Sequence, residues 1–264
     1  MKKSFQIGTA AGIPLFLHWT FLLIPAYIVL SGTLMGRPAF GVLADLTLVT
    51  MIFACVVLHE LGHALAARRF GVQTKDIILM PIGGVARLER MPKRPQEELI
   101  VALAGPAVNV VIAAVLLLIT VPFIGLSGLV NPTSLSTNLV GKAIAVNLAM
   151  IVFNMLPAFP MDGGRVLRAI LSSRIGHLKA TRIAAKVGQT MAVLFGLAGL
   201  FVFNNPMLLF IAGFVYLGAA QEAGAAEIES SFERVRVGEP FAVRADSHTH
   251  HRRRISSEFH DWPS

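Results

Sequence analysis

The residues of this chain best suited to chemistry are two histidines and a glutamate in the run His59-Glu60-Leu61-Gly62-His63. Spaced four apart, the histidines share one face of a helix with the carboxylate between them, the HExxH pattern of a zinc site. Two neutral imidazoles supply half of a tetrahedral set, and Glu60 can take a proton from a water whose pKa zinc has brought down to about 7. A pattern with three fixed letters also arises by chance. The setting separates this instance, because it follows Met51-Ile52-Phe53-Ala54-Cys55-Val56-Val57-Leu58, an apolar run in which ionisable groups are costly and usually functional.

The elements that must position these residues are membrane spans. Of 264 residues, 55% are hydrophobic and 14% charged, and the mean hydropathy is +0.68. This is the composition of an integral membrane protein. The basic start Met1-Lys2-Lys3-Ser4 raises the question of a signal peptide, but without a small-residue cleavage site the first apolar run reads as retained. A single cysteine, Cys55, excludes an internal disulfide framework. Windows long enough to span fall at 14–34, 40–67, 99–125, 138–157, 187–203 and 206–221, the last two joined by a tight turn at Asn204-Asn205-Pro206. Lys and Arg gather in alternate connections, at the N-terminus, in 68–94, in 165–186 and in the tail, leaving Arg37 and Lys142 for the other side. That asymmetry places both termini in the cytoplasm and accounts for the net charge of +8 without nucleic acid, while the short basic N-terminus and small size suit a prokaryotic inner membrane. The expected fold class is an all-α polytopic membrane protein of about six transmembrane helices, with a small membrane-associated β-hairpin between the second and third. Residues 1–222 form the membrane-embedded domain, and 223–264 a short cytoplasmic tail, poorly ordered or the stub of a truncated module.

The topology adds to the motif. Spans two and four run in the same direction, so their C-terminal ends lie at similar depth near the cytoplasmic face. HELGH ends span two. Span four ends in Asn154-Met155-Leu156-Pro157-Ala158-Phe159-Pro160-Met161-Asp162-Gly163-Gly164-Arg165, where prolines and glycines break the helix. Such a break is tolerated at membrane depth only where the backbone is buried or lines a wet cavity. Asp162 sits in it, a carboxylate at the right depth to be the third protein ligand, with a fourth position open for water or substrate.

HELGH followed by NMLPAFPMDGG, with AGPAVN between them, resembles the site-2 protease family of intramembrane zinc metalloproteases, and the likeness runs from about Gly12 to Glu222. The resemblance implies one catalytic Zn2+ held by His59, His63 and Asp162, with Glu60 as the base. It implies that Asn154 and Asn109 line the site as polar helpers, able to donate to a developing oxyanion. Many members carry a PDZ or a pair of CBS modules, for which this chain has no room. The partners implied are a transmembrane protein substrate and the lipid bilayer, with cleavage near the cytoplasmic face in regulated intramembrane proteolysis.

Residues 76–87, DIILMPIGGVAR, place two short apolar runs around Gly83-Gly84, which supply the positive φ of a hairpin turn. Its edge is suited to pair with an extended substrate segment; an ordinary hairpin packed on the bundle is the alternative. Cys55 shares a helix face with His59 but reads as inert packing, and Asp45 lies about 21 Å along the helix from His59, too far to share a metal. The segment 163–186 is basic and partly amphipathic and is expected along the cytoplasmic surface, facing anionic headgroups. His248, His250 and His251 read as part of the tail. The rival function is a multi-spanning zinc transporter. Transport wants ligands spread through the membrane depth and has no need of Glu60.

Overall fold

The computed structural model describes residues 4–81, 83–90, 92, 94–130 and 139–236. It is mostly helical, with one small sheet. In chain order the elements are β1 (Ser4–Ala10), β2 (Ile13–His18), a 3-10 turn (Trp19–Leu22), α1 (Leu23–Leu34), α2 (Ala39–Arg69), β3 (Thr74–Met80), β4 (Gly83–Leu88), α3 (Pro95–Val130), α4 (Leu139–Asn154), α5 (Asp162–Ile175), α6 (His177–Phe201) and α7 (Pro206–Arg236). Four helices, α2, α3, α6 and α7, are long and apolar enough to cross a membrane, and Trp19–Leu34 and Leu139–Asn154 are shorter apolar helices. The chain is an integral membrane protein.

The sheet has the order β1-β2-β3-β4, antiparallel at both ends and parallel between β2 and β3. The parallel pair is bridged by α1 and α2, so the sheet folds back onto the helix that carries HELGH. Ile13 of β2 and Ile77 of β3 pack with Leu61 and Ala64 of α2. Leu61 and Ala64 are three apart and share a face. His59 and His63 are therefore turned away from the sheet, toward α3. There the helices meet closely at small residues, as membrane helices do where packing supplies the attraction. A Cβ on Gly62 would lie 2.7 Å from the Ala104 carbonyl oxygen.

A second layer forms from α5, α6 and α7. The segment between α4 and α5 buries Ala158 and Phe159 against Ala184, Ala185 and Ala192 of α6 and Val215 and Ala219 of α7. A Cβ on Gly164 would lie 2.6 Å from the Phe159 nitrogen, so glycine lets the start of α5 lie on this segment. One buried cation ties the layers together. Arg168 of α5, 4% exposed, donates from Nε to Glu98 Oε1 of α3 at 2.6 Å and from Nη1 to Glu222 Oε2 of α7 at 3.4 Å. Its guanidinium carbon stands 5.1 Å from the Phe159 ring centroid.

Several sequence expectations change. The first apolar window is split, because Ile13–His18 is strand β2, paired on both sides, and helix begins only at Trp19. A short apolar run has the same composition whether it becomes strand or helix. The hairpin is there, but it is half of a four-stranded sheet and turns between Met80 and Gly83, which pair with each other. Gly83 and Gly84 open β4 rather than forming the turn. Asp76 and Arg87 pair across its strands, and hydrogen bonding to Asp76 raises the Arg87 guanidinium above its already high range. The basic segment is divided at Gly176, φ +82°. Residues 177–186 are the start of α6 rather than a separate surface helix. Helix α7 continues past residue 222 to Arg236, while 237–264, including His248, His250 and His251, lie outside the described residues. Asp45 pairs with Arg37 at 2.7 Å, near the end of α2 opposite the histidines.

Candidate metal centre

Helix α2 brings His59 and His63 to one face, and the break after α4 delivers Asp162 as the first residue of α5. The three are buried, at 3%, 4% and 7% exposure. His59 Nε2 and His63 Nε2 are 3.1 Å apart, and Asp162 Oδ2 lies 3.2 Å from the first and 3.1 Å from the second. The atoms form a nearly equilateral triangle.

The outer nitrogens decide what the triangle is for. His63 Nδ1 is 2.7 Å from the carbonyl oxygen of Val101, which can only accept, so this nitrogen carries the proton. His59 Nδ1 is 2.6 Å from Asn109 Oδ1, while Asn109 Nδ2 donates to Asn147 Oδ1 at 2.9 Å. With both Nδ1 protonated, each Nε2 presents a lone pair to the other and to a carboxylate oxygen. Three acceptors cannot satisfy one another; a shared cation can. At zinc bond lengths of about 2.0–2.1 Å, tetrahedral ligand atoms stand about 3.3 Å apart, close to the edges observed. Space has been left as well. An ideal Cβ on Gly105 of α3 would lie 2.5 Å from His63 Cε1 and 2.7 Å from His59 Nε2, so only glycine keeps this side of the ligand atoms open. Among the described residues, His59, His63 and Asp162 are the one group of three or more such side chains that could hold a metal ion. The donor set fits zinc.

Glu60 points along α2 toward the sheet, where its Oε2 accepts the Ala86 N–H of β4 at 3.0 Å. Gly84 makes the approach possible, since a Cβ there would lie 2.9 Å from both Glu60 Cγ and Val56 Cγ1. Gly83, at φ +137°, starts the same strand. Of the two asparagines expected to line the site, Asn109 is fully buried and committed to His59 and Asn147. Its amide stands behind His59 rather than before a substrate: the imidazole is buried, and the protein itself supplies the partner of its Nδ1. Asn154 ends α4, partly exposed, and its side chain hydrogen-bonds to no other described residue. Val101, Asn147 and Gly105 were not legible as site residues. A backbone carbonyl has no signature, and Gly105 beside Pro106 reads as a kink. Asn147 did carry a signal, as a lone amide inside an apolar helix.

Comparison with known proteins gives the family. The family model "Peptidase family M50" matches residues 47–133 and 127–197, more than half of the chain. A protein named as a zinc metalloprotease in Methanocaldococcus jannaschii is 39% identical over 237 residues, 89% of this chain and 65% of that protein. Rip3 of Mycobacterium tuberculosis is 31% identical over 94% of this chain and 65% of its own length. The chain thus spans just under two thirds of these curated relatives. A solved structure titled as the site-2 protease from Methanocaldococcus jannaschii is 40% identical, with a TM-score of 0.60 over 83% of this chain and 95% of that one. With a family model over more than half of its length, relatives of this identity, and a group from HELGH and the aspartate of MDGG that could hold a metal ion, the chain belongs to peptidase family M50, the site-2 proteases.

Proposed function

We propose that the chain is an intramembrane zinc endopeptidase that cuts transmembrane segments of membrane proteins near the cytoplasmic face. The observation that carries this reading is the triangle of His59 Nε2, His63 Nε2 and Asp162 Oδ2, with Glu60 one residue from its first corner. In this reading the six apolar helices all span, both termini are cytoplasmic as the Lys and Arg distribution requires, and the membrane is the prokaryotic inner one. Residues 1–222 are the catalytic domain.

His59, His63 and Asp162 hold one zinc ion, which when bound supplies Lewis-acid polarisation of a peptide carbonyl and acidification of a water. Glu60 accepts a proton at its carboxylate from the attacking water and later returns it to the nitrogen of the leaving amine. The Asn154 amide donates to the developing oxyanion, a contact worth about 3–4 kcal/mol where such donors have been removed from enzymes. Asn109 keeps His59 oriented. A helical substrate hides its carbonyls in its own hydrogen bonds and must be held extended to be cut. Strand β4 is the edge of the sheet beside α2, and an extended segment added to that edge would run past Glu60.

The test is cleavage of a model transmembrane protein by the purified full chain in detergent, with product masses locating the cut. Cutting within the transmembrane segment toward its cytoplasmic end supports the reading. Cutting only in soluble flanks, or zinc flux across liposomes that survives Glu60→Gln, rejects it.

A further inference from the structure

Asn147 of α4 hydrogen-bonds to none of the proposed ligands, yet it is fully buried in an apolar helix, where an unspent amide is costly. Its hydrogen bonds have a direction. Asn147 Nδ2 donates to the carbonyl oxygen of Ala143 at 2.8 Å, which can only accept. Asn147 Oδ1 is therefore turned to Asn109, whose Nδ2 donates to it at 2.9 Å. Asn109 Oδ1 is in turn left facing His59 Nδ1, at 2.6 Å. An acceptor-only group at the far end thus sets two amides, and the second sets the tautomer of a histidine. His63 needs no such relay, since its Nδ1 meets the Val101 carbonyl directly.

We propose that Asn147 is a positioning residue for the metal centre, acting through Asn109 to hold the proton of His59 on Nδ1 and the lone pair of Nε2 toward Asp162 and His63. The proposal rests on the zinc reading of the site. Without Asn147, the Asn109 amide loses its oxygen partner and keeps only the weak acceptor Met150 Sδ, 3.3 Å away. It is then free to turn its NH2 toward His59, which favours the wrong tautomer. Outer partners of metal-bound histidines typically contribute about 10- to 100-fold in affinity.

A double-mutant cycle on the full chain in detergent separates this role from packing, read as zinc affinity by chelator competition and as the visible bands of the cobalt-loaded protein. Asn147→Leu, close in size, is expected to weaken zinc about 10- to 100-fold and to alter the cobalt bands. In an Asn109→Asp background both oxygens accept, so the side chain at 109 offers an acceptor to His59 Nδ1 whichever way it turns, and Asn147 Oδ1 no longer meets a donor there; the same Asn147→Leu change is then expected to cost less than about threefold, the coupling that action through Asn109 requires. Cys55→Ala, which alters packing at the same spot because Cys55 Sγ lies 3.3 Å from Asn147 Nδ2, is expected to leave zinc affinity unchanged. An Asn147→Leu protein that binds zinc like wild type overturns the proposal, and so does an equal loss in both backgrounds. If the single variant does not fold, the double variant decides. Folding with the zinc affinity of Asn109→Asp upholds the relay, and failure to fold reduces Asn147 to packing. Failure of wild type itself to bind zinc would instead reject the zinc reading.

Discussion

Replacing Gly105 by alanine adds one methyl group directly against His59 and His63. The new Cβ would stand 2.5 Å from His63 Cε1 and 2.7 Å from His59 Nε2, where real Cβ contacts essentially never fall below 3.0 Å. His63 Nε2 would be nearer still, so the His63 ring or the backbone of α3 must give way by well over half an ångström. Zinc–ligand distances tolerate about 0.2 Å, so the triangle cannot be kept. Because the disturbed groups are the ligands themselves, the expected loss exceeds the range for outer partners, at about 100-fold or more in zinc affinity, or roughly 2.7 kcal/mol. The fold should lose no more than about 2 kcal/mol. Overpacking costs about 1–3 kcal/mol, and alanine recovers about 1 kcal/mol over glycine inside a helix. Chelator competition and thermal unfolding of the metal-free protein, on the same detergent preparation, measure the two effects separately. A Gly105→Ala protein that binds zinc with wild-type affinity would refute the reasoning, because the ligand atoms would then not face α3 as described.

Other substitutions probe the supports. Gly84→Val places a branched side chain where even a Cβ lies 2.9 Å from Glu60 Cγ, and cleavage should fall about 10- to 100-fold from misplacement of the base, with zinc content unchanged. Arg168→Ala leaves Glu98, 2% exposed, as an uncompensated buried charge. Thermal unfolding should report a loss of about 3–5 kcal/mol, and the pair Glu98→Leu with Arg168→Leu should be less destabilised than Arg168→Ala. Zinc at a thousand times its dissociation constant should stabilise the wild type by about 4 kcal/mol over the chelated form, a difference that Asp162→Ala should abolish.

The chemistry of this chain lies close to its sequence because metal ligation and membrane insertion both leave local marks. HELGH fixes two donors by helical spacing alone. Asp162 is marked by the proline- and glycine-rich break in which it stands, and the structure brings its Oδ2 to both histidines. What the sequence hides is set by tertiary contact. Residues 13–18 are as apolar as a span, and only pairing with β1 and β3 makes them a strand. Asn109 has the composition of a substrate donor, but in the fold its amide is taken up by His59 and Asn147. Gly105 looks like a kink partner until His63 is seen beside it. The salt bridge of Arg168 joins residues 70 apart in sequence, and no local pattern distinguishes it from a headgroup contact.

The proposed activity needs two properties together, zinc held by three side chains and proton transfer by a fourth. It is tested most directly by zinc content and cleavage of a transmembrane substrate, measured on the same preparations of wild type and Glu60→Gln. The prediction is one zinc per chain in both and cleavage in the wild type alone. Undiminished cleavage by Glu60→Gln, or cleavage by a wild type stripped of zinc, would contradict it.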